Sequence, residues 1–181
     1  MTVPAAGSVL IMAGGKGTRM ANPSKPLLQI GNQKILETVF HLARKISQDV
    51  YLCGSQNADD VMDFAKSMGI RIIRAGGADY PEDLLFCLSG LKKRPTVILP
   101  GDIVVTDGNM FHEALQMAMN TQAAISTVLQ RGEFVGISVY NNRDVLDSSW
   151  DFISIEVPGK FCININTPED LDYARAFRVD R

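Results

Sequence analysis

Leu10-Ile11-Met12-Ala13-Gly14-Gly15-Lys16-Gly17-Thr18-Arg19-Met20, followed by Lys25-Pro26, is the stretch on which the reading of this chain turns. Its apolar opening, Val9 to Met12, has strand character. Glycines then stand at 14, 15 and 17, a hydroxyl at 18, and cations at 16, 19 and 25. Glycine tolerates positive φ and lets backbone N–H groups approach a ligand closely. Consecutive N–H groups in such a turn form a concavity for anions. Lys16, Arg19 and Lys25 add positive charge around it. The pattern points to a polyphosphate. Two other phosphate motifs fail against the letters. A Walker loop needs G-x-x-x-x-G-K-[ST], yet Gly17 follows Gly15-Lys16 and Leu10 holds the first glycine position. A dinucleotide fingerprint needs G-x-G-x-x-G, and Met20 holds its last glycine position.

Outward from this stretch, strand-like and helix-like segments alternate. Lys34 to Ser47 is apolar at 35, 36, 39, 40, 42, 43 and 46, which is helical spacing. Val50 to Cys53 reads as a strand. Asn57 reads as the N-cap of a helix reaching about Met68 and closed by Gly69. Ile70 to Ile73 is a third strand, and Gly76-Gly77-Ala78-Asp79 a loop. Tyr80 to Lys93 is a helix opened by Pro81 and two acids. Thr96 to Leu99 is a strand closed by Pro100-Gly101-Asp102. Asp107 to Asn120 is a helix whose methionines read as core. Ala123 to Gln130 and Phe134 to Tyr140 read as an antiparallel pair around Arg131-Gly132. Asn141 to Trp150 is a short helix or loop, Phe161 to Asn166 a last strand, and Thr167 caps a final helix. Such alternation means a mostly parallel sheet with helices on both faces. Ligands of such sheets bind beyond the carboxyl ends of strands, where strand order reverses. The Gly14 loop, the Gly76 loop, Asp102 and Asn166 all follow or close a strand, so they can converge on one crevice.

The 181 residues fit one domain, and 46% hydrophobic content supplies a substantial core. A formal charge of −2 with no long run of one sign gives no footprint for nucleic acid or an anionic membrane. No apolar run approaches the roughly 20 residues of a membrane span. The start lacks a basic signal-peptide region, so the protein reads as cytoplasmic. Cys53, Cys87 and Cys162 stand far apart in apolar contexts. That argues against a disulfide scaffold or zinc site and for three small buried hydrophobes. His41 reads as solvated, and His112 receives no role.

Ala13 to Met20 with Lys25-Pro26 resembles the signature of nucleotidyltransferases that join a nucleoside monophosphate to a phosphorylated acceptor. This superfamily includes sugar-phosphate nucleotidyltransferases, molybdenum cofactor guanylyltransferases and archaeal adenosylcobinamide-phosphate guanylyltransferases. The resemblance runs from Ser8 to about Ala176. It implies a single NTP-transferase-like domain over 1–181, of three-layer α/β/α architecture. Its mostly parallel, Rossmann-like sheet would be of the nucleotide-diphospho-sugar transferase type. The reaction implied is in-line attack on the α-phosphorus of a nucleoside triphosphate. Because the acceptor is itself an anionic phosphate, no general base is required. The work is positioning and charge stabilisation.

On that reading, backbone amides around Ala13, Gly14, Gly15, Lys16, Gly17 and Thr18 hold the leaving phosphates. Arg19 offers a bidentate fork and Lys16 a point charge. Lys25 lies nearest the α-phosphate; the lysine of this Lys-Pro pair is catalytic in the families resembled. Asp102 is a Mg2+ ligand by type, as the families' Gly-Asp aspartate is. Asn166 resembles the second metal ligand, with Asn164 on the same strand face. Lys25, Arg19 and Asp102 form the expected catalytic set. Gly76, Gly77, Glu82 and Asp83 lie where the family recognises the base. A carboxylate there suits the adjacent N1–H and N2–H₂ donors of guanine. Compact length, the Tyr80-Pro81-Glu82-Asp83-Leu84 helix start and the Ile163-Asn164-Ile165-Asn166-Thr167 ending are most similar to the archaeal corrinoid enzymes. Ser24 stands before Lys25 where molybdenum cofactor enzymes usually carry Asp. Ala21-Asn22 stands where the family commonly has glycine. The expectation is GTP as donor, adenosylcobinamide phosphate as acceptor and Mg2+ as cofactor, without nucleic acid or membrane span. Molybdenum cofactor or sugar-1-phosphate transfer is the alternative enzyme reading, and a nucleotide-sensing domain the non-enzymatic one. A homodimer is compatible with the sequence, which selects no oligomeric state; the corrinoid is expected near Arg131 to Asn142.

Overall fold

Val9, Leu10 and Ile11 are completely buried, as a strand covered on both faces requires. They belong to β1 (Ser8–Met12), the organising strand of the fold. The computed structural model describes residues 5–15, 22–77, 79–141 and 151–179, with 178 and 179 described by backbone alone. Lys16, Gly17, Thr18 and Arg19 lie outside the described residues, as do Ala78 and all of the Asn141 to Trp150 segment except Asn141.

After β1 the chain makes a 3-10 turn (Lys25–Leu27), a small hairpin of β2 (Gln29–Ile30) and β3 (Gln33–Lys34), and then α1 (Ile35–Ile46). Next come β4 (Val50–Gly54), α2 (Asp59–Ser67), β5 (Arg71–Arg74), α3 (Tyr80–Gly90) and β6 (Thr96–Pro100). β7 (Ile103–Val105), α4 (Gly108–Met119), β8 (Ile125–Gln130), β9 (Glu133–Tyr140), β10 (Phe152–Val157), β11 (Cys162–Asn164) and α5 (Pro168–Val179) complete it. Seven strands form one sheet in the order β10-β8-β9-β6-β1-β4-β5. β9 alone runs against the others.

Side-chain alternation along β1 builds two cores. Val9 and Ile11 face the buried stripes of α1, α2 and α4, among them Leu36, Val61 and Leu115. Leu10 faces the other way, with Cys53, Ile98 and Tyr140, onto Cys87, Leu88 and Leu91 at α3 and its end. The result is a three-layer α/β/α sandwich over a mostly parallel sheet. No helix among the described residues is long and apolar enough to cross a membrane.

Strand order fixes the crevice. The chain steps outward from β1 to β4 and β5, then returns to place β6 on the other side of β1. Met12 pairs with Cys53 on one side and Pro100 on the other, so the three carboxyl ends are level. The turns after β1 and β6 touch. Gly101 N–H donates to the Met12 carbonyl at 2.8 Å. A Cβ at Gly101 would lie 2.9 Å from that of Ala13, so only glycine permits this approach.

The structure differs from the sequence reading in several places. The hydroxyl capping the turn before α2 belongs to Ser55, which accepts from Asn57 N–H at 3.3 Å; Asn57 is not the cap. α3 stops at Gly90, short of the lysines, because Leu91 is already extended. The buried face of α4 is Phe111, His112, Ala114, Leu115 and Ala118; Met110 and Met119 pack against the core as expected, while Met117 is 51% exposed. β10 lies parallel beside β8, an unforeseen edge strand. The last strand, expected from Phe161 to Asn166, is only Cys162–Asn164, and it pairs antiparallel with β7 in a separate two-stranded sheet. All three cysteines are buried, and His41 is exposed.

Candidate active site

A cleft of about 650 Å³ opens over the carboxyl ends of β1, β4 and β6. Ala13, Gly14 and Gly15 form its floor. Two hydrogen bonds fix that floor: Ala13 N–H donates to the Cys53 carbonyl at 2.9 Å, and the fully buried Ser55 hydroxyl donates to the Gly14 carbonyl at 2.6 Å.

Lys25 reaches the cleft from the 3-10 turn. Pro26 inside that turn is buried and presets its φ, so the residue before it is held at a fixed exit angle. The Lys25 ammonium donates to Asp102 Oδ2 at 2.6 Å and to the Ile165 carbonyl at 2.8 Å. Both side chains are largely withdrawn from water, at 12% and 18% exposure. Ile165 N–H donates in turn to the Asp102 carbonyl at 3.0 Å, which stitches the end of β11 to the turn after β6. Asn164 and Asn166 therefore line the cleft beside Asp102.

The opposite wall follows β5. Gly77, at φ +75°, turns over Ser55 and Asn57; a Cβ there would lie 2.8 Å from that of Ser55. Its N–H donates to Asp83 Oδ1 at 2.9 Å, and Asp83 is buried. Asp79 caps α3 by accepting from Glu82 N–H at 2.9 Å. Below, the Cys53 thiol is pushed far up by its hydrogen bond to Cys87 and by burial, so it stays protonated. Burial, with Cys53 nearby, pushes the Tyr80 phenol up to about 12. The Tyr80 side chain is 47% exposed, and its ring borders the cleft.

The structure thus gathers Ala13, Gly14, Gly15, Lys25, Gly77, Asp83, Asp102 and Asn166 around one space. It does not bring Gly76 or Glu82 there; both are exposed and absent from the lining. One residue along a helix is a rotation of about 100°, so Glu82 and Asp83 cannot both face the cleft. Lining residues missed from sequence include Cys53, Tyr80, Pro100, Phe134 and Gly136. For Pro100 the signal was present, since it adjoins Gly101-Asp102. Phe134 carried no signal beyond an apolar strand position.

Among the described residues no group of three or more His, Cys, Asp or Glu could hold a metal ion. The cleft instead offers the Asp102 carboxylate with the amide oxygens of Asn164 and Asn166. This all-oxygen donor set fits a hard divalent cation completed by ligand phosphates and water.

Known proteins show the same plan. A molybdenum cofactor guanylyltransferase of Pseudomonas putida strain F1 is 27% identical over 130 residues, 70% of this chain. The match spans 65% of that relative's length. The adenosylcobinamide-phosphate guanylyltransferase of Methanocaldococcus jannaschii is 24% identical, across 91% of this chain and 94% of its own. Among solved structures, the inositol-1-phosphate CTP transferase of T. maritima shares the fold with a TM-score of 0.71. The identity there is 12%, over 97% of this chain and 96% of that one. The family model described as the MobA-like NTP transferase domain matches residues 9–149, most of the chain, including Gly14, Lys25, Asp83 and Asp102 of the cleft, and the chain belongs to that family.

Proposed function

We propose that this protein moves GMP from GTP to the phosphate of adenosylcobinamide phosphate, releasing pyrophosphate. The observation that carries this reading is the Lys25–Asp102 pair, which closes the same cleft that the Gly14-Gly15 turn opens at the reversal of strand order.

The chemistry follows from those parts. An acceptor phosphate oxygen attacks the α-phosphorus of GTP. A new P–O bond forms, the bond from the α-phosphorus to the bridging oxygen breaks, and pyrophosphate carries that electron pair away. Backbone N–H groups of the turn after β1 offset the charge of the leaving group. The sequence reading gives Arg19 and Lys16 the same task. Lys25 sits where negative charge grows at the α-phosphate oxygens, and its ammonium is steered there by Asp102 and the Ile165 carbonyl. Asp102, with Asn166 or Asn164, would hold Mg2+. When bound, that ion supplies neutralising charge to phosphate oxygens. Asp83, fixed by Gly77, is the carboxylate offered to the N–H donors of guanine.

Alignment with the corrinoid enzyme over nearly the whole of both chains supports the acceptor assignment. The second reading, a molybdenum cofactor guanylyltransferase, is supported by the 27% identical relative and by the family model. Pyrophosphate release tests both. The expected result is release from GTP with Mg2+ and adenosylcobinamide phosphate, and none with mannose-1-phosphate. Release with the molybdenum cofactor alone selects the second reading. GTP binding without release for any acceptor replaces both with a nucleotide-sensing role.

A further inference from the structure

The two ends of the cleft are chemically unlike. Asp79, Tyr80 and Asp83 border the end that follows β5. Phe134 and Gly136 of β9 border the other, beside Pro100. β9 and β5 are four strand spacings apart in the sheet, about 19 Å at the usual separation. The glycine turn and the Lys25–Asp102 pair lie between them.

Phe134 is 52% exposed at the mouth of this cleft. Gly136 has φ +83°, and a Cβ there would lie 2.9 Å from Pro100 Cγ. The wall is therefore a bare backbone laid on a proline ring, with one aromatic face standing free beside it. Pro100, Phe134 and Gly136 contribute no polar side-chain group. Hydroxyls of a sugar buried there would lose water without replacement, which is costly. A broad apolar face would lose nothing and would cover the ring.

We propose that Phe134, with the Gly136–Pro100 wall, is the platform for the body of the acceptor. It selects a phosphate ester whose body presents a flat apolar face to the ring. This rests on the transferase reading above and narrows its substrate class. β9 is the strand next to β6, so from the β1–β6 crevice Phe134 lies roughly one strand spacing, about 5 Å, across the sheet.

The test is binding of adenosylcobinamide phosphate by equilibrium dialysis, with a non-hydrolysable GTP analogue present, to the wild type, Phe134→Ala and Phe134→Trp. Phe134 is exposed, so neither change opens a core cavity. The expected result is roughly tenfold weaker corrinoid binding in Phe134→Ala. Phe134→Trp should restore it, and in turnover the KM for corrinoid should rise while the KM for GTP does not. Equal corrinoid binding by the wild type and Phe134→Ala, or no binding by either, overturns the platform. Loss of GTP-analogue binding together with corrinoid binding in Phe134→Ala shows a structural defect and also overturns it. Absence of pyrophosphate release despite Phe134-dependent corrinoid binding would instead sink the transferase reading alone.

Discussion

Lys25 has three N–H donors, and described residues take two of them, Asp102 and the Ile165 carbonyl. One remains for a phosphate oxygen. Lys25→Ala should therefore lower kcat by roughly a hundredfold to a thousandfold while GTP affinity changes by only a few fold. Single-turnover kinetics beside GTP titration separates the two, and unchanged turnover would remove Lys25 from the chemistry. Asp102→Ala should abolish the Mg2+ dependence of the rate together with most of the activity; residual turnover that still climbs with Mg2+ would place the ion elsewhere. These residues were readable because their neighbours are unusual: Lys25 precedes a proline, and Asp102 ends an apolar run with Pro-Gly. Asp83 and Glu82 were not separable from letters alone. Both suit a helix N-terminus, and only the rotation of α3 decides which one meets Gly77.

Turns carry the next level of specification. β8 and β9 are joined by the two residues Arg131 and Gly132, at φ +54° and +81°. Two positive φ values in a two-residue hairpin loop fit the turn that matches strand twist, and this turn favours Asn-Gly. Arginine is strained there. Arg131→Asn should raise stability by about 0.5–1 kcal/mol in urea denaturation. A lower midpoint would show that the Arg131 side chain earns its place by a contact. The hairpin itself was legible, because Arg-Gly separates two alternating runs. β7 was not, since its three residues gain their identity by pairing with β11, which was legible as a strand but not in its short extent or its partner. β10 does alternate, with Ile155 and Val157 buried on either side of Glu156, but the pattern is short, and Phe152 and Ile153 are exposed at a sheet edge.

Across the whole molecule, the sheet is fastened at one end and open at the other. Asp49, just before β4, accepts from Lys93 and, at 2.5 Å, from Arg71 at the start of β5. Lys93, and Arg71 after it, hold the Asp49 carboxyl below its ordinary value of 3.8. A folded value below the unfolded one means that the stabilisation is complete above about pH 3.8 and vanishes as pH falls through the lowered value. Asp49→Asn should therefore unfold at lower urea than the wild type at neutral pH, with the gap closing in acid. A gap that persists in strong acid would assign the effect to packing. The alternation of strands and helices made this architecture readable, because a parallel sheet forces the long crossovers that the sequence displays.

One reversed strand has a wider consequence. Because β9 descends where its neighbours ascend, its beginning, not its end, looks into the cleft, and the Arg131-Gly132 loop hangs over the same rim. On the proposed reading, most residues that handle the nucleotide come from the first hundred or so positions, with Asn164 to Asn166 joining from β11, and the wall bearing Phe134 comes from the hairpin between. On that proposal, cargo choice is written in the hairpin and bond-making in the segments that flank it. A lineage can redraft the hairpin for a new passenger while leaving the engine of transfer untouched.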